Sequence, residues 1–130
     1  MENSGMVVDT SVFIEFLRAG NKIKTTLYRI NEDKQLFISA ITLYELLMGA
    51  TNKTKLEDIK LLTDDIPVLS FSAEAARRAA EIYHQLRKNN QIIEFRDLFI
   101  GATCLAYELP LITLNTKHFE RIKGIEILTG

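Results

Sequence analysis

The chain has 130 residues, of which 47% are apolar and 25% are charged, and its net charge is −1. This length and balance predict one ordinary globular domain over residues 1–130. The near-neutral charge excludes a global basic field, so a polyanionic partner would have to meet local patches. The single cysteine, Cys104, excludes an internal disulfide and fits a reducing compartment.

In chain order, short apolar segments alternate with helical patterns. Strands are predicted at residues 5–8, 36–38, 66–69, 111–113 and 125–128. Helices are predicted at residues 12–17, 23–30, 40–48, 53–62, 72–88 and 96–107, with a short helix or turn at 115–121. This alternation is typical of a parallel sheet covered by helices on both faces, so we expect an α/β protein.

Two of the predicted helices carry a recognisable apolar face. In the second, Ile23, Leu27 and Ile30 recur at helical spacing. In the long helix capped by Ser72, the predicted buried face consists of Ala76, Ala79, Tyr83 and Leu86. Each of these faces predicts which side of its helix packs against the sheet.

The sequence carries no targeting or membrane signal. Residues 1–4 lack the basic and long apolar regions of a signal peptide. Residues 36–50 are the most apolar window, but they are too short for a bilayer span and contain Glu45. We therefore expect a cytoplasmic protein with no membrane partner.

Three carboxylates lie in otherwise apolar stretches. Asp9 ends the run 5–8, Glu45 is the only charge between residues 36 and 50, and Asp97 precedes an apolar helical segment. Burying a lone carboxylate costs several kcal/mol unless it is paired, protonated or bound to a cation. Sites in parallel sheets lie at the carboxyl ends of the strands, so the order of elements permits one acidic cluster.

Each acid also has a local explanation. Asp9 could cap the helix that follows it, and Asp97 could cap its own helix or pair with Arg96. Glu45 stands three residues after Thr42, which is the spacing of a capping box, although Ser39 is an equally good cap. To replace the acidic cluster, these local explanations would all have to apply at once, one for each of the three acids in its apolar stretch.

Converging carboxylates with few histidines and no cysteine pair favour Mg²⁺ or Mn²⁺ over zinc. One or two ions are equally compatible with three acids. Phosphoryl transfer is the chemistry that such a hard-oxygen site performs best. The residues therefore indicate a metal-dependent enzyme that acts on phosphate esters.

Four short motifs follow one another along the chain. They are Asp9-Thr10-Ser11, Ser39-x-x-Thr42-x-x-Glu45-Leu46, Asp97-x-x-Ile100-Gly101-Ala102 and Leu111-x-Thr113-x-Asn115-x-x-x-Phe119. In this order and spacing they resemble the PIN domain, and more narrowly the VapC-type toxins of toxin–antitoxin pairs. The resemblance extends over residues 7–127.

The resemblance implies a five-stranded parallel α/β/α sandwich and an endoribonuclease that hydrolyses RNA with a water activated by Mg²⁺ or Mn²⁺. Asp9, Glu45 and Asp97 match the family's acidic residues and would bind the metal and carry the catalysis. Three further positions would orient the carboxylates or the water: Ser11, Thr113 and Asn115. Members form homodimers and are silenced by a cognate antitoxin whose tail fills the active-site groove.

One position departs from the family's pattern. A fourth acid is common in the last motif, and His118 stands at that position here. Histidine supplies less negative charge, so a second metal ion stays open. His118, Arg96 and Lys117 are candidate contacts for RNA phosphate, with an exposed histidine and a solvated charged face as the alternatives.

Other protein classes fit less well. A phosphatase of the haloacid-dehalogenase type needs a second Asp where Ser11 stands, and a receiver domain needs one where Ser70 stands. The remaining alternative is a catalytically inactive PIN-like module for RNA binding or assembly, because the fourth acid is missing.

Overall fold

A computed structural model describes residues 5–30 and 32–129, so the prediction for residues 1–4 lies outside the described chain. Five parallel strands form one sheet, as predicted. They are β1 (Met6–Val8), β2 (Leu36–Ser39), β3 (Val68–Leu69), β4 (Leu111–Ile112) and β5 (Ile127–Leu128). The order across the sheet is β3-β2-β1-β4-β5.

Seven α-helices in the described chain connect or follow these strands. They are α1 (Thr10–Arg18), α2 (Thr26–Arg29), α3 (Ala40–Met48), α4 (Lys53–Thr63), α5 (Ala73–Lys88), α6 (Phe95–Tyr107) and α7 (Thr116–Phe119). None of the helices in the described ranges is both long and apolar enough to cross a membrane.

The sheet has a separate apolar cluster on each face. Val7 packs with buried residues of α5 and α6, whereas Met6 and Val8 pack with residues of α1, α3 and α4. Successive side chains of a strand point to opposite faces, so three residues of β1 serve both clusters. The predicted α/β/α sandwich is therefore confirmed.

Cys104 belongs to the cluster around α5 and α6 and is fully buried. Burial raises the pKa of its thiol, and the charge of Asp9 raises it further. A buried thiol of this kind packs as a small hydrophobe. Cys104 is therefore a residue of the core.

The predicted single helix over residues 23–30 is wrong. A 3₁₀ turn occupies Lys22–Lys24 and α2 begins at Thr26, with Thr25 between them. The Thr25 hydroxyl donates to the Lys22 carbonyl (2.6 Å) and accepts from the Tyr28 amide (3.4 Å), so it ends one element and caps the next. Ile23 is consequently exposed rather than part of an apolar face.

The buried face of α5 is also shifted from the predicted one. Ala75, Ala79, Ile82 and Leu86 are buried, whereas Ala76 is exposed. Tyr83 is half-buried because its ring packs against the core while its hydroxyl accepts from Arg87. The helix is thus turned by about one residue relative to the predicted orientation.

Candidate active site

The candidate site lies where the strand order changes direction. β1 is flanked by β2 on one side and β4 on the other. The chain adds β2 and β3 on one side of β1 and then adds β4 and β5 on the opposite side. Such a switch point opens a crevice outside the carboxyl ends of the strands. Asp9 directly follows β1 and Thr113 directly follows β4, so both border this crevice.

Asp9 is 4% exposed and caps α1. Its Oδ2 atom accepts hydrogen bonds from Ser11 Oγ (2.7 Å), Thr113 Oγ1 (2.8 Å) and the Ser11 amide (3.4 Å). No hydrogen bond from the described residues reaches Asp9 Oδ1. The capping role is therefore real, but it uses only one of the two carboxylate oxygens.

The two hydroxyls that bind Asp9 are themselves fixed by the backbone after β4. The Leu114 amide donates to Ser11 Oγ (3.0 Å), and the Asn115 amide donates to Thr113 Oγ1 (2.9 Å). Each hydroxyl thus accepts from a backbone N–H and directs its own hydrogen toward the carboxylate. This arrangement fixes the orientation of the Asp9 carboxylate.

Asp97 is the third residue of α6 and is 5% exposed. Its Oδ2 atom lies 3.0 Å from His118 Nδ1, which in turn lies 3.1 Å from Asn115 Nδ2. One ring nitrogen cannot donate to the carboxylate and accept from the amide together, and the bond to the charged carboxylate is the stronger one. His118 is therefore a partner of Asp97 rather than an isolated surface histidine.

Burial is the main reason why the pKa of Asp97 is raised above its usual value of 3.8, and the negative charge of Asp9 raises it further. The hydrogen bond from His118 opposes these effects without cancelling them. The N-cap of α6 is Glu94, and the ion pairs of Arg96 go to other carboxylates, so neither local explanation for Asp97 holds.

Glu45 lies on α3 with its side chain 11% exposed. Its Oε1 atom accepts from Thr10 Oγ1 (2.7 Å), and its Oε2 atom accepts from Arg96 Nη1 (3.1 Å). Both oxygens are therefore engaged, in contrast to those of Asp9 and Asp97. Sequence reasoning placed Thr10 in a motif but gave it no role at the site.

Ser39, not Thr42, caps α3, since its hydroxyl accepts from the Thr42 amide at 3.0 Å. The capping-box explanation for Glu45 is consequently wrong. Thr42 is fully buried and its Oγ1 lies 2.9 Å from Thr10 Oγ1, behind the contact that Thr10 makes with Glu45.

The described residues contain no group of three or more His, Cys, Asp or Glu side chains placed to hold one metal ion. Asp9 and Asp97 lie close enough for the charge of one to raise the pKa of the other, and each has an Oδ1 atom that no described hydrogen-bond donor reaches. Two hard carboxylate oxygens in a buried crevice fit a divalent cation. Both oxygens of Glu45, by contrast, already have hydrogen-bond partners among the described residues.

The predicted phosphate contacts differ in their surroundings. Lys117 is exposed and lies next to His118 on α7. Arg96 is exposed but forms ion pairs with Glu45 and Glu94. Only Lys117 among these three therefore presents a positive charge that no described carboxylate neutralises.

The profile of the PIN domain matches residues 6–125. A protein from Rickettsia bellii named Ribonuclease VapC is 39% identical over 135 aligned positions, which cover 96% of each chain. The solved structure of VapBC-1 from nontypeable Haemophilus influenzae superposes with a TM-score of 0.83 at 26% identity, covering 96% of this chain and 97% of the other.

A further solved structure is that of VapBC-5 from Mycobacterium tuberculosis, a member of the VapBC family of toxin–antitoxin systems. It has a TM-score of 0.70 and 26% identity, and the match covers 97% of both chains. The chain therefore belongs to the PIN domain family, with VapC ribonucleases among its relatives.

Proposed function

We propose that the chain is a metal-dependent endoribonuclease and the toxin of a VapBC-type toxin–antitoxin pair. The observation that carries this proposal is the pair of buried carboxylates, Asp9 and Asp97. The charge of Asp9 acts on Asp97, and each carboxylate has one oxygen without a hydrogen bond from the described chain. The relatives named Ribonuclease VapC support RNA as the substrate.

Asp9 and Asp97 would hold Mg²⁺ or Mn²⁺, and Glu45 would complete the acidic set. When bound, a divalent cation neutralises charge on a phosphate, lowers the pKa of an attacking water and stabilises the leaving oxygen. Ser11 and Thr113 keep the Asp9 carboxylate in one orientation. His118 stands behind Asp97 in the same way, and Asn115 lies beside the His118 ring.

RNA phosphates would approach the crevice from the side of α7. Lys117 supplies the free positive charge there, and His118 and Arg96 are the further candidate contacts. Because the net charge of the chain is −1, the attraction for RNA would come from this local patch.

A groove of about 410 Å³ beside Glu45 is the proposed place for the antitoxin. Its apolar lining includes Ile14, Leu17, Leu46 and Ile59, on α1, α3 and α4. A segment lying in it would pass next to the acidic site and restrict access for RNA. The family resemblance also supports a homodimer in the cytoplasm, and light scattering should give twice the chain mass of 14.8 kDa.

Cleavage of structured and single-stranded RNA in the presence of Mg²⁺ tests the activity. We expect wild type to cleave and both Asp9→Asn and Asp97→Asn to lose most of that activity, because each loses a carboxylate charge at the crevice. Asp65→Asn is the control, since it removes an exposed carboxylate before β3. Equal activity in wild type and the two site variants would refute the assignment.

A second candidate function is an RNA-binding or assembly module without catalysis. The absence of a three-acid metal group among the described residues favours this alternative. Such a module would bind RNA without cleaving it and would show no heat of Mn²⁺ binding in calorimetry.

A further inference from the structure

Arg96 joins two distant parts of the chain at the edge of the site. Its Nη1 atom lies 3.1 Å from Glu45 Oε2, across 51 positions of sequence, and its Nε atom lies 3.0 Å from Glu94 Oε1. The Arg96 side chain is 60% exposed, whereas that of Glu45 is 11% exposed. A nearly buried anion is thus neutralised from the solvent side by an exposed cation.

The contact with Arg96 makes the hydrogen bonding of Glu45 different from that of the other two acids. Thr10 occupies one Glu45 oxygen and Arg96 occupies the other. Asp9 and Asp97, by contrast, each have one oxygen that no described donor reaches. Among the three acids, Glu45 is therefore the one whose two oxygens are both engaged by described residues, and the described chain contains no three-acid metal group.

The ion pair between Arg96 and Glu45 is of a kind in which another cation can replace the guanidinium. A pair with one exposed partner contributes little net stability, because water and salt compete for the exposed group. A divalent cation attracts a carboxylate more strongly than a monovalent guanidinium at the same distance, since the Coulomb energy scales with charge. Glu45 can therefore pass from Arg96 to a divalent ion.

We infer that Arg96 is an internal competitor for the divalent cation: it holds Glu45 in the metal-free protein and is displaced from it when the ion binds. Arg96 is then a positioning residue that lowers the metal affinity of the site. This inference rests on the proposed function, because it presupposes that Asp9 and Asp97 bind a divalent cation.

Calorimetric titration of the full chain with Mn²⁺ tests the inference. Arg96→Gln should bind Mn²⁺ about three- to tenfold more tightly than wild type, because Glu45 no longer has to leave a guanidinium. Arg96→Lys keeps the charge but loses the planar fork, so its affinity should fall between the two. An unchanged or weaker affinity in Arg96→Gln would overturn the inference.

The matched control is Arg78→Gln. Arg78 has a partly exposed side chain (43%) and also pairs with a carboxylate, with its Nε atom 3.0 Å from Glu74 Oε2 on α5. This variant removes the same charge from the molecule, so it should leave the Mn²⁺ affinity unchanged within about twofold. Equal tightening in Arg78→Gln and Arg96→Gln would reduce the effect to net charge and contradict a specific competitor.

A double-variant cycle identifies the group through which Arg96 acts. In the Glu45→Gln background, adding Arg96→Gln should no longer tighten Mn²⁺ binding. The same tightening in both backgrounds would mean that Arg96 acts on the ion directly and not through Glu45, which would overturn the inference.

The variant Asp97→Asn distinguishes a failure of the inference about Arg96 from a failure of the proposed function. If wild type gives no Mn²⁺ binding, or if Asp97→Asn binds as well as wild type, both the metal site and the competitor are refuted. If Asp97→Asn loses binding while Arg96→Gln binds like wild type, only the competitor is refuted.

Discussion

The hydroxyl groups around Asp9 determine which of its oxygens remains open. Ser11 and Thr113 both donate to Oδ2, and the amides after β4 hold both hydroxyls in place. Hydrogen bonds on one oxygen hold a buried carboxylate in one direction. Under the proposed function, the unbonded Oδ1 is the atom that would bind the cation without any rearrangement of the residues behind it.

Thr113→Val tests this orientation at nearly constant shape. Thr113 is 1% exposed, donates to Asp9 and accepts from the Asn115 amide, so the variant removes one hydrogen bond of the buried Asp9 carboxylate and the bond of the part-buried Asn115 amide. We expect a loss of about 1–3 kcal/mol in the free energy of unfolding, measured by urea denaturation, together with weaker Mn²⁺ binding.

Thr103→Val is the control for that loss. Thr103 is also 1% exposed, but its hydroxyl donates to the Phe99 carbonyl within its own helix. We expect a cost of about 1 kcal/mol or less and no change in Mn²⁺ binding. Equal effects of the two substitutions would show that the contact between Thr113 and Asp9 has no special role.

Asp97 makes the stability of the metal-free protein depend on pH, because burial and the charge of Asp9 raise the pKa of its carboxyl above 3.8. A carboxyl with a higher pKa in the folded than in the unfolded chain binds its proton more tightly when folded. The free energy of unfolding therefore decreases as the pH rises from the unfolded pKa to the folded pKa of Asp97, and it stays reduced at higher pH.

Asp97→Asn removes this ionisation. In EDTA, the variant should melt at a higher temperature than wild type above the folded pKa of Asp97. The difference should fade as the pH falls below 3.8, where the wild-type carboxyl is largely protonated in both states. A difference that grows as the pH falls would contradict the raised pKa.

At the scale of elements, α6 packs closely against the segment between α7 and β5. A Cβ atom added at Gly101 would overlap Ile122 Cδ1 and touch Ile125. Gly101 therefore allows this segment to lie against the helix that carries Asp97. The close approach holds α7, and with it His118, in place beside the site.

Gly101→Ala should lower the free energy of unfolding by about 1 kcal/mol, since overpacking outweighs the gain in helix propensity. Ile122→Val alone should cost about 1 kcal/mol through a lost buried methyl group. The double variant should be more stable than the sum of the two losses, because the shorter side chain relieves the overlap. Strict additivity in urea denaturation would contradict the contact.

The order of elements and the positions of the acids follow from the sequence, because apolar runs and caps are local signals. The helix predicted at residues 40–48 is α3, for example, which Ser39 caps at its start. The break at Thr25 was missed, since a threonine that serves as both an end and a cap has no distinct pattern. The pairing of Glu45 with Arg96 joins residues 51 positions apart and depends on how two helices approach, which spacing does not encode.

For the whole molecule, a net charge of −1 makes RNA attraction a matter of where each cation lies. Lys117 adjoins the site on α7, whereas Lys123 lies in the segment that leads to β5. Gly124, the next residue, approaches Leu105, which is eight positions and about 12 Å along α6 from Asp97. At physiological salt, this distance of about 12 Å along α6 exceeds the length over which charges are screened.

Lys117→Glu should therefore weaken RNA binding several-fold and reduce the salt dependence of the binding constant by about one unit of slope. Lys123→Glu makes the same charge change and should have a much smaller effect. Fluorescence anisotropy with a short RNA at two salt concentrations measures both. Equal weakening by the two variants would place the RNA elsewhere on the surface.

The melting temperature with and without millimolar Mn²⁺ tests whether Asp9 and Asp97 form a divalent cation site. A ligand that binds only the folded chain stabilises it, so the wild-type melting temperature should rise by a few degrees. Asp97→Asn should show no rise, and Asp65→Asn should behave like wild type. No shift in wild type, or the same shift in Asp97→Asn, would contradict the claim.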